Sequence, residues 1–391
     1  METLIELFDR RPLENILGAE IFRPKRVVYI CPEIVARSAA LQKQMRVFFK
    51  RRGLRTELVF FKADIYNADA VLALLRTILA RYPDCAMDIT GGTDAVLFAA
   101  GLLSAEANIP VFTYSRRQNR FYNIRHADFA EGRLCSLSYK VEDFFLMAGG
   151  SVREGRVNNA ALALYLSDFD PFFKVFLRFR RDWTRIVTYL QRVSPSGAEG
   201  SVSLDASGPY TVKGERGSRI DAPEDALRAL EELGFIRELR ITAGESVSFR
   251  FRDGQIRSWL RDVGSVLELY VYKACLDAGI FDDVQLSVIV DWEGENKANS
   301  VSNELDVMCC RGVVPLFISC KTCDVKTEAL NELAVLRDRF GGEMARAAIV
   351  TAERGNARVR NRASELNIQV IDLGDLAAEK LRQRLKGCMN A

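Results

Sequence analysis

Histidine is nearly missing from this chain: one residue, His126, serves all 391. Any Ser–His or Cys–His catalytic pair would have to use it. It sits in a charged turn with Arg125 and Asp128, which reads as surface. The dinucleotide fingerprint G-x-G-x-x-G is also absent, which argues against an NAD enzyme. No run of about 18 apolar residues occurs, so no transmembrane helix is expected. The opening METLIELFDRRP is charged throughout and does not read as a signal peptide. Charge of one sign is scarce: 55 basic against 52 acidic residues leave a net +3. That argues against a constitutive nucleic-acid coat while leaving room for a local basic patch. Nine cysteines, an odd number, fit reduced thiols better than a disulfide framework. Cys320-Lys321-Thr322-Cys323 is a C-x-x-C, but Cys309-Cys310 has the wrong spacing to complete a zinc site. A cytoplasmic protein without membrane association is the expectation.

What is present is ordinary globular material, 48% apolar and 27% charged, in a chain long enough for two or three domains. RVVYICP (26–32), ELVFFKA (57–63), CAMDITGG (85–92) and IPVFTYSR (109–116) read as strands. NADAVLALLRTILARY (67–82) and DAVLFAAGLLSAE (94–106) read as helices between them. This alternation predicts βαβ units, a mostly parallel sheet and an α/β fold over residues 1–150. Ligands of such sheets bind beyond the carboxyl ends of the strands. The tips are Cys31 and Pro32, then Thr90-Gly91-Gly92-Thr93, then Thr113, Ser115 and Arg116. Gly91-Gly92 lets backbone approach a ligand closely, and a helix from Asp94 offers free N–H groups to phosphate. A tight turn with Thr93 as helix N-cap is the plainer alternative. The stretch SRRQNRFYNIR (115–125) is basic and aromatic, either a phosphate contact or a solvated hairpin.

Residues 151–256 read differently. Helices at 172–193 and 222–234 flank a Ser/Gly-rich loop or linker (194–209), and a hairpin follows to 253. This outline fits a winged helix-turn-helix or a plain connector between larger domains.

The last segment, 257–391, carries the chemistry. A helix (257–279) precedes strands QLSVIVDW, NELDVMCC and VVPLFISCK, then a helix, a strand, a helix and a strand. Glu304 and Asp306 lie two apart on one strand, and Ser319 and Lys321 two apart on the next, so each pair shares a face. Arg311-Gly312 makes the strands antiparallel neighbours. Asp306 and Lys321 can therefore meet, with Glu268 in reach from the helix. Acid, acid and lysine suit phosphodiester cleavage, which needs charge neutralised at the phosphate and an activated water. A cross-strand ion pair is the competing reading.

In this order of parts, the segment resembles the PD-(D/E)xK restriction-endonuclease fold. The resemblance implies catalytic roles for Asp306, Lys321 and Glu268. It also implies Mn²⁺ or Mg²⁺ held by Asp306, Glu268, Glu304 or the Cys320 carbonyl. Ser319 departs from the pattern, standing where the family keeps a second strand acid. DITGGTDAVLFAAG (88–101) resembles the CARF domain, the CRISPR-associated Rossmann fold that senses cyclic oligoadenylates. The order of CARF-like domain, winged-helix-like connector and nuclease-like domain is similar to the ancillary nucleases of type III CRISPR systems. That implies a homodimer activated by cyclic oligoadenylate, cutting single-stranded DNA or RNA. Relatives often place a lysine after Gly-Gly-Thr; Asp94 stands here, which passes the phosphate contact to Arg116 or Arg117. The alternative from another class is a ligand-gated DNA-binding regulator whose nuclease domain is inactive through Ser319.

Overall fold

The computed structural model describes residues 1–153, 159–194, 203–214, 217–292 and 302–390. Two six-stranded sheets organise it. The first is built from β1 (Thr3–Leu7), β2 (Arg26–Cys31), β3 (Glu57–Lys62), β4 (Cys85–Asp88), β5 (Val111–Ser115) and β6 (Arg120–Arg125), in the order β3-β2-β1-β4-β5-β6. β1 to β5 are parallel, and β6 returns antiparallel from β5 as a hairpin. Strand order reverses between β1 and β4, which places the ligand crevice of a doubly wound sheet at their carboxyl ends. The sequence pattern did not predict β1. Its TLIEL is fully buried at the centre of the sheet, and a buried acid, Glu6, masks it as polar terminus.

The helices are α1 (Leu17–Phe22), α2 (Glu33–Ala36), α3 (Ala39–Arg51), α4 (Ala68–Arg81), α5 (Asp94–Ala107), α6 (Val141–Met147), α7 (Leu166–Phe179), α8 (Trp183–Val193), α9 (Glu224–Glu232), α10 (Gly254–Leu260), α11 (Ser265–Ala278), α12 (Thr327–Phe340), α13 (Ala357–Glu365) and α14 (Ala378–Cys388). α4 and α5 cover one face of the first sheet with Val71, Leu75, Ile78, Val96 and Leu103. The other face is continuous with the second sheet: Phe48, Phe112 and Phe145 share a core with Phe317, Phe340 and Ile349.

That second sheet comprises β7 (Ser151–Arg153), β13 (Asp283–Asp291), β14 (Ser302–Arg311), β15 (Val314–Lys321), β16 (Arg346–Thr351) and β17 (Ile368–Ile371), in the order β17-β16-β15-β14-β13-β7. Residues 151–153, read from sequence as the start of the connector, are its outermost strand. Between the sheets in sequence lie β8 (Asp205–Pro209), β9 (Thr211–Lys213), β10 (Arg219–Asp221), β11 (Ile236–Thr242) and β12 (Ser246–Phe251). β11, β12 and β8 form an antiparallel sheet against α7, α8 and α9, the layout of a winged helix. β8 corrects the expected linker, whose residues 195–202 lie outside the described residues. A Ser/Gly-rich sequence forms a strand here because β12 supplies its ladder and Ala206 reaches the core. Phe173 of α7 stacks on Tyr270 of α11 with centroids 3.7 Å apart, joining this unit to the second sheet. All nine cysteines are unpaired, eight of them buried. Among the described residues no helix is long and apolar enough to cross a membrane.

Candidate functional site

β13 carries a left-handed residue mid-strand: Ser287 has φ +54°. Val284 and Leu286 before it face the core under α11, whereas Val288 and Val290 after it face the core shared with the first sheet. The strand thus turns over at Ser287. β14 turns over opposite, with Val307 in the first core and Leu305 in the second. Asp306 sits at that turnover. The β14–β15 ladder stops at Val307–Ile318, one residue short of it. Released from the ladder, Cys320 N–H donates instead to Asp306 Oδ2 at 2.6 Å. Ser319 Oγ (3.1 Å) and Lys321 Nζ (3.3 Å) donate to the same oxygen. The N–H and C=O of one strand residue point to the same side, so the Cys320 carbonyl also lies on the β14 side. Lys321's own carbonyl accepts from Ala352 N–H on the other side.

Burial works to strip the Lys321 proton, but the charge and hydrogen bond of Asp306 outweigh it, so the ammonium is held above its usual range. Glu268 lies in the first turn of α11. Burial first, then repulsion from Asp306, Asp262 and Glu304, pushes its carboxyl up to about 8. A Cβ at Gly264 would lie 2.5 Å from Glu268 Oε1, so a larger residue there would make this carboxyl swing aside. Glu304 accepts from Ser287 Oγ on β13 while still lying close enough to repel Glu268. Asp306 and Lys321 are thus in contact, Glu268 is within electrostatic reach, and Glu304 is committed to β13.

Among the described residues no three His, Cys, Asp or Glu side chains gather closely enough to hold a metal by themselves. Asp306 and Glu268 still offer two hard carboxylates beside a ladder-free carbonyl. Mg²⁺ keeps several waters and uses one or two carboxylates plus substrate phosphate, and carboxylate oxygen also suits Mn²⁺. The donor set fits such a shared ion and not an all-protein cage. β15 and β16 end on this rim, and the segments that follow them carry exposed Lys326, Arg354 and, at the start of α13, Arg358.

At the crevice of the first sheet, Thr90 N–H donates to Asp88 Oδ1 at 2.8 Å, and Thr90 Oγ accepts from Tyr114 N–H at 2.8 Å. Thr93 Oγ donates to the Ile65 carbonyl at 2.6 Å and does not cap α5, leaving that helix start without a side-chain cap. A Cβ at Gly91 would meet Asp9 Cβ at 2.7 Å and the Leu7 carbonyl at 3.0 Å, and Gly92 has φ +103°. Both positions therefore require glycine. Pro32, Thr113 and Ser115 lie half-buried on the same rim, while the Cys31 side chain is buried, with Sγ 3.5 Å from the Phe61 carbonyl. Arg117 is exposed. His126 is exposed too, as its charged turn suggested.

Two residues of this crevice carry no motif: Asp9 and Arg11, from the loop after the unrecognised β1. Asp9 Oδ2 accepts from Gly92 N–H at 3.2 Å, and Arg116, the expected phosphate contact, is bound to Glu14 and to Glu343. A D-R-R run directly after a strand was the available signal.

Beneath the loop, Glu6 and Asp88 are register partners on β1 and β4, both buried. Burial chiefly raises Asp88, to about 7. An acid whose folded value exceeds its ordinary 3.8 costs stability as pH rises from about 4 to 7, and the cost is constant above that. Asp88→Asn removes the charge and can donate to Glu6. Its melting temperature should match the parent at pH 4 and exceed it by a few degrees at pH 8. Melting curves across that range check this; a gap that stays closed contradicts it.

Residues 257–390 match the family described as Card1-like, endonuclease domain. The whole chain is similar to Can2 from Sulfobacillus thermosulfidooxidans, solved in complex with cyclic tetra-adenylate, at 16% identity and a TM-score of 0.70 with 100% of both chains covered. It is similar to protein VC1899 from Vibrio cholerae at 17% identity and a TM-score of 0.72, covering 99% of this chain and 98% of that one. No curated protein matches it. The site at Asp306 and Lys321 therefore lies within the segment that matches the Card1-like endonuclease family, on an α/β fold that this chain shares with Can2 and VC1899 over nearly its whole length.

Proposed function

We propose that the chain is a CARF nuclease of type III CRISPR defence, a metal-dependent endonuclease activated by a cyclic oligoadenylate that cuts single-stranded DNA or RNA in the cytoplasm. The observation that carries this is the contact of Asp306 with Lys321 where the β14–β15 ladder opens, inside the endonuclease-like segment. Asp306, Glu268 and the Cys320 carbonyl would hold Mn²⁺ or Mg²⁺. What such an ion supplies there is charge neutralisation at the phosphate and a more acidic water. Lys321, held above its usual range against burial by the charge and hydrogen bond of Asp306, acts as a cationic donor. It donates to a phosphate oxygen and orients the water, stabilising charge that grows in the transition state. Asp306 aims it. Lys326, Arg354 and Arg358 attract the nucleic-acid backbone to this rim.

The regulator alternative needs a helix able to enter a DNA groove. α9 is EDALRALEE, whose apolar residues Ala226, Leu227, Ala229 and Leu230 are buried, leaving four acids and one arginine. Such a face repels phosphate, which favours the nuclease reading.

Ser319→Glu should keep or raise cleavage by adding the missing acid, a hard oxygen ligand. It also places a carboxylate beside Asp306 where Ser319 Oγ donates. The variant should therefore melt lower than the parent in EDTA and gain more from added Mn²⁺. A folded variant that cuts far more slowly, with no extra gain from Mn²⁺, would show a site rebuilt around serine.

The cyclic ligand also implies a homodimer, because a two-fold axis presents equal loops to equal halves of a symmetric ring. Phe98 is 63% exposed, Tyr66 77% and Ile34 79%, all at the crevice end of the first sheet. Leu102, one turn beyond Phe98 on α5, is exposed as well. Large apolar side chains clustered in water mark a contact surface. Phe98→Glu should convert the dimer to monomer at micromolar concentration in light scattering. A parent that is already monomeric, with and without ligand, contradicts the dimer.

A further inference from the structure

The groups expected to receive ligand phosphate are already occupied by the chain's own carboxylates. Gly92 N–H donates to Asp9 Oδ2. Arg11 forks onto Asp9, Nε to Oδ1 and Nη2 to Oδ2, each at 2.9 Å. Arg11 Nη1 then reaches Glu343 Oε2 at 2.6 Å, and Arg116 Nη1 reaches the same oxygen at 2.5 Å. Arg116 also pairs with buried Glu14. Two guanidinium groups therefore converge on one carboxylate oxygen at the mouth of the crevice, the arrangement that binds a phosphate oxygen equally well.

Glu343 does not belong to the sensor sheet. It lies in the short link between α12 and β16, two elements that flank the Asp306–Lys321 site. A Cβ on its neighbour Gly342 would lie 3.4 Å from Arg11 Cβ, ordinary van der Waals contact, so this link runs beside the crevice loop. Glu343 is 58% exposed and Arg11 36%. An anion arriving from solvent can reach both arginines.

We propose that Arg11 and Arg116 form a phosphate seat on the sensor face, filled at rest by Glu343 of the nuclease segment, which a phosphodiester of the activating ligand displaces. The idea rests on the sensor reading above and adds to it a residue, Arg11, and a route. A ligand shifts an equilibrium only through its different affinities for the two states. Here the difference is built in, since phosphate and Glu343 compete for the same donors. Occupation of the seat frees the 341–345 link, and with it the approach from α12 into β16. By reciprocity, whatever holds that link in place weakens ligand binding.

The test is calorimetry with cyclic tetra-adenylate on the full-length parent, Glu343→Gln and Arg11→Gln, with hydrogen exchange on the parent. Glu343→Gln should bind about fivefold tighter and Arg11→Gln at least about tenfold weaker. Amides of residues 341–345 should exchange faster once ligand is bound. If the parent binds no cyclic tetra-adenylate, the sensor reading itself fails. If the parent binds and Glu343→Gln is unchanged, with no change in exchange at 341–345, the seat is not shared with Glu343 and this proposal is overturned. Glu343 is exposed but Arg11 is half-buried and anchors Asp9, so a melting curve of each variant accompanies the titration, and weaker binding counts for the seat only in a variant that melts with the parent.

Discussion

Lys321→Ala and Asp306→Asn should each lower cleavage at least about a hundredfold while the protein still folds and still binds its activator. Removing one donor aimed at developing charge costs about 10² to 10³ in rate. Lys321 is the one ammonium in contact with Asp306 among the described residues. An amide at 306 is a far weaker ligand for Mg²⁺ or Mn²⁺ than a carboxylate. It could still accept from Cys320 N–H, so the local backbone should hold. Groups that act as one unit lose function non-additively, and the double variant should be scarcely worse than either single one. The competing account is a cross-strand ion pair with no catalytic role. At 35% and 16% exposure, such a pair is worth at most about 1 kcal/mol, and cutting would survive its loss. Cleavage rates at saturating activator and Mn²⁺, beside a melting curve for each variant, separate the two. Folded variants that cut within about threefold of the parent would remove these residues from the chemistry.

Gly92→Asp should abolish activation without unfolding the protein. The position has φ +103°, which L side chains rarely adopt, and a Cβ there would lie 3.0 Å from Leu7 Cβ. Both effects cost local stability, and the loop can move to relieve them. The charge cannot be relieved so easily. Asp9 already presents one carboxylate to the Gly92 N–H, and a second carboxylate there would repel incoming phosphate at a site that must attract it. Affinity for cyclic tetra-adenylate should fall at least about tenfold, with cleavage lost at activator concentrations that saturate the parent. Unchanged affinity in a folded variant would place the pocket elsewhere.

The Asp306–Lys321 contact was legible in sequence because strand alternation and a two-residue turn fix which side chains can meet. Its finer geometry was not legible. Ser287 has no glycine-like signature of a left-handed residue, yet its φ of +54° accompanies the turnover of the strands and the end of the ladder beside Asp306. The α/β alternation of the first domain was plain, but β1 was hidden by buried Glu6, and with it went the reversal of strand order. Asp9 and Arg11 were lost for the same reason. The link to Glu343 lies 332 residues from Arg11 and 227 from Arg116, distances over which no local pattern operates. β8 was masked by composition, since its stability comes from β12 and not from its own Ser and Gly residues.

The central claim is that cutting requires both the metal site of the endonuclease-like segment and a ligand on the sensor sheet. The most direct measurement is cleavage of labelled single-stranded DNA and RNA, with duplex plasmid alongside, each with and without Mn²⁺ and each with and without cyclic tetra- or hexa-adenylate. The account predicts products only where Mn²⁺ and a cyclic oligoadenylate are present together. Sequence-specific binding of duplex with no products under any combination would contradict it and favour a ligand-gated regulator.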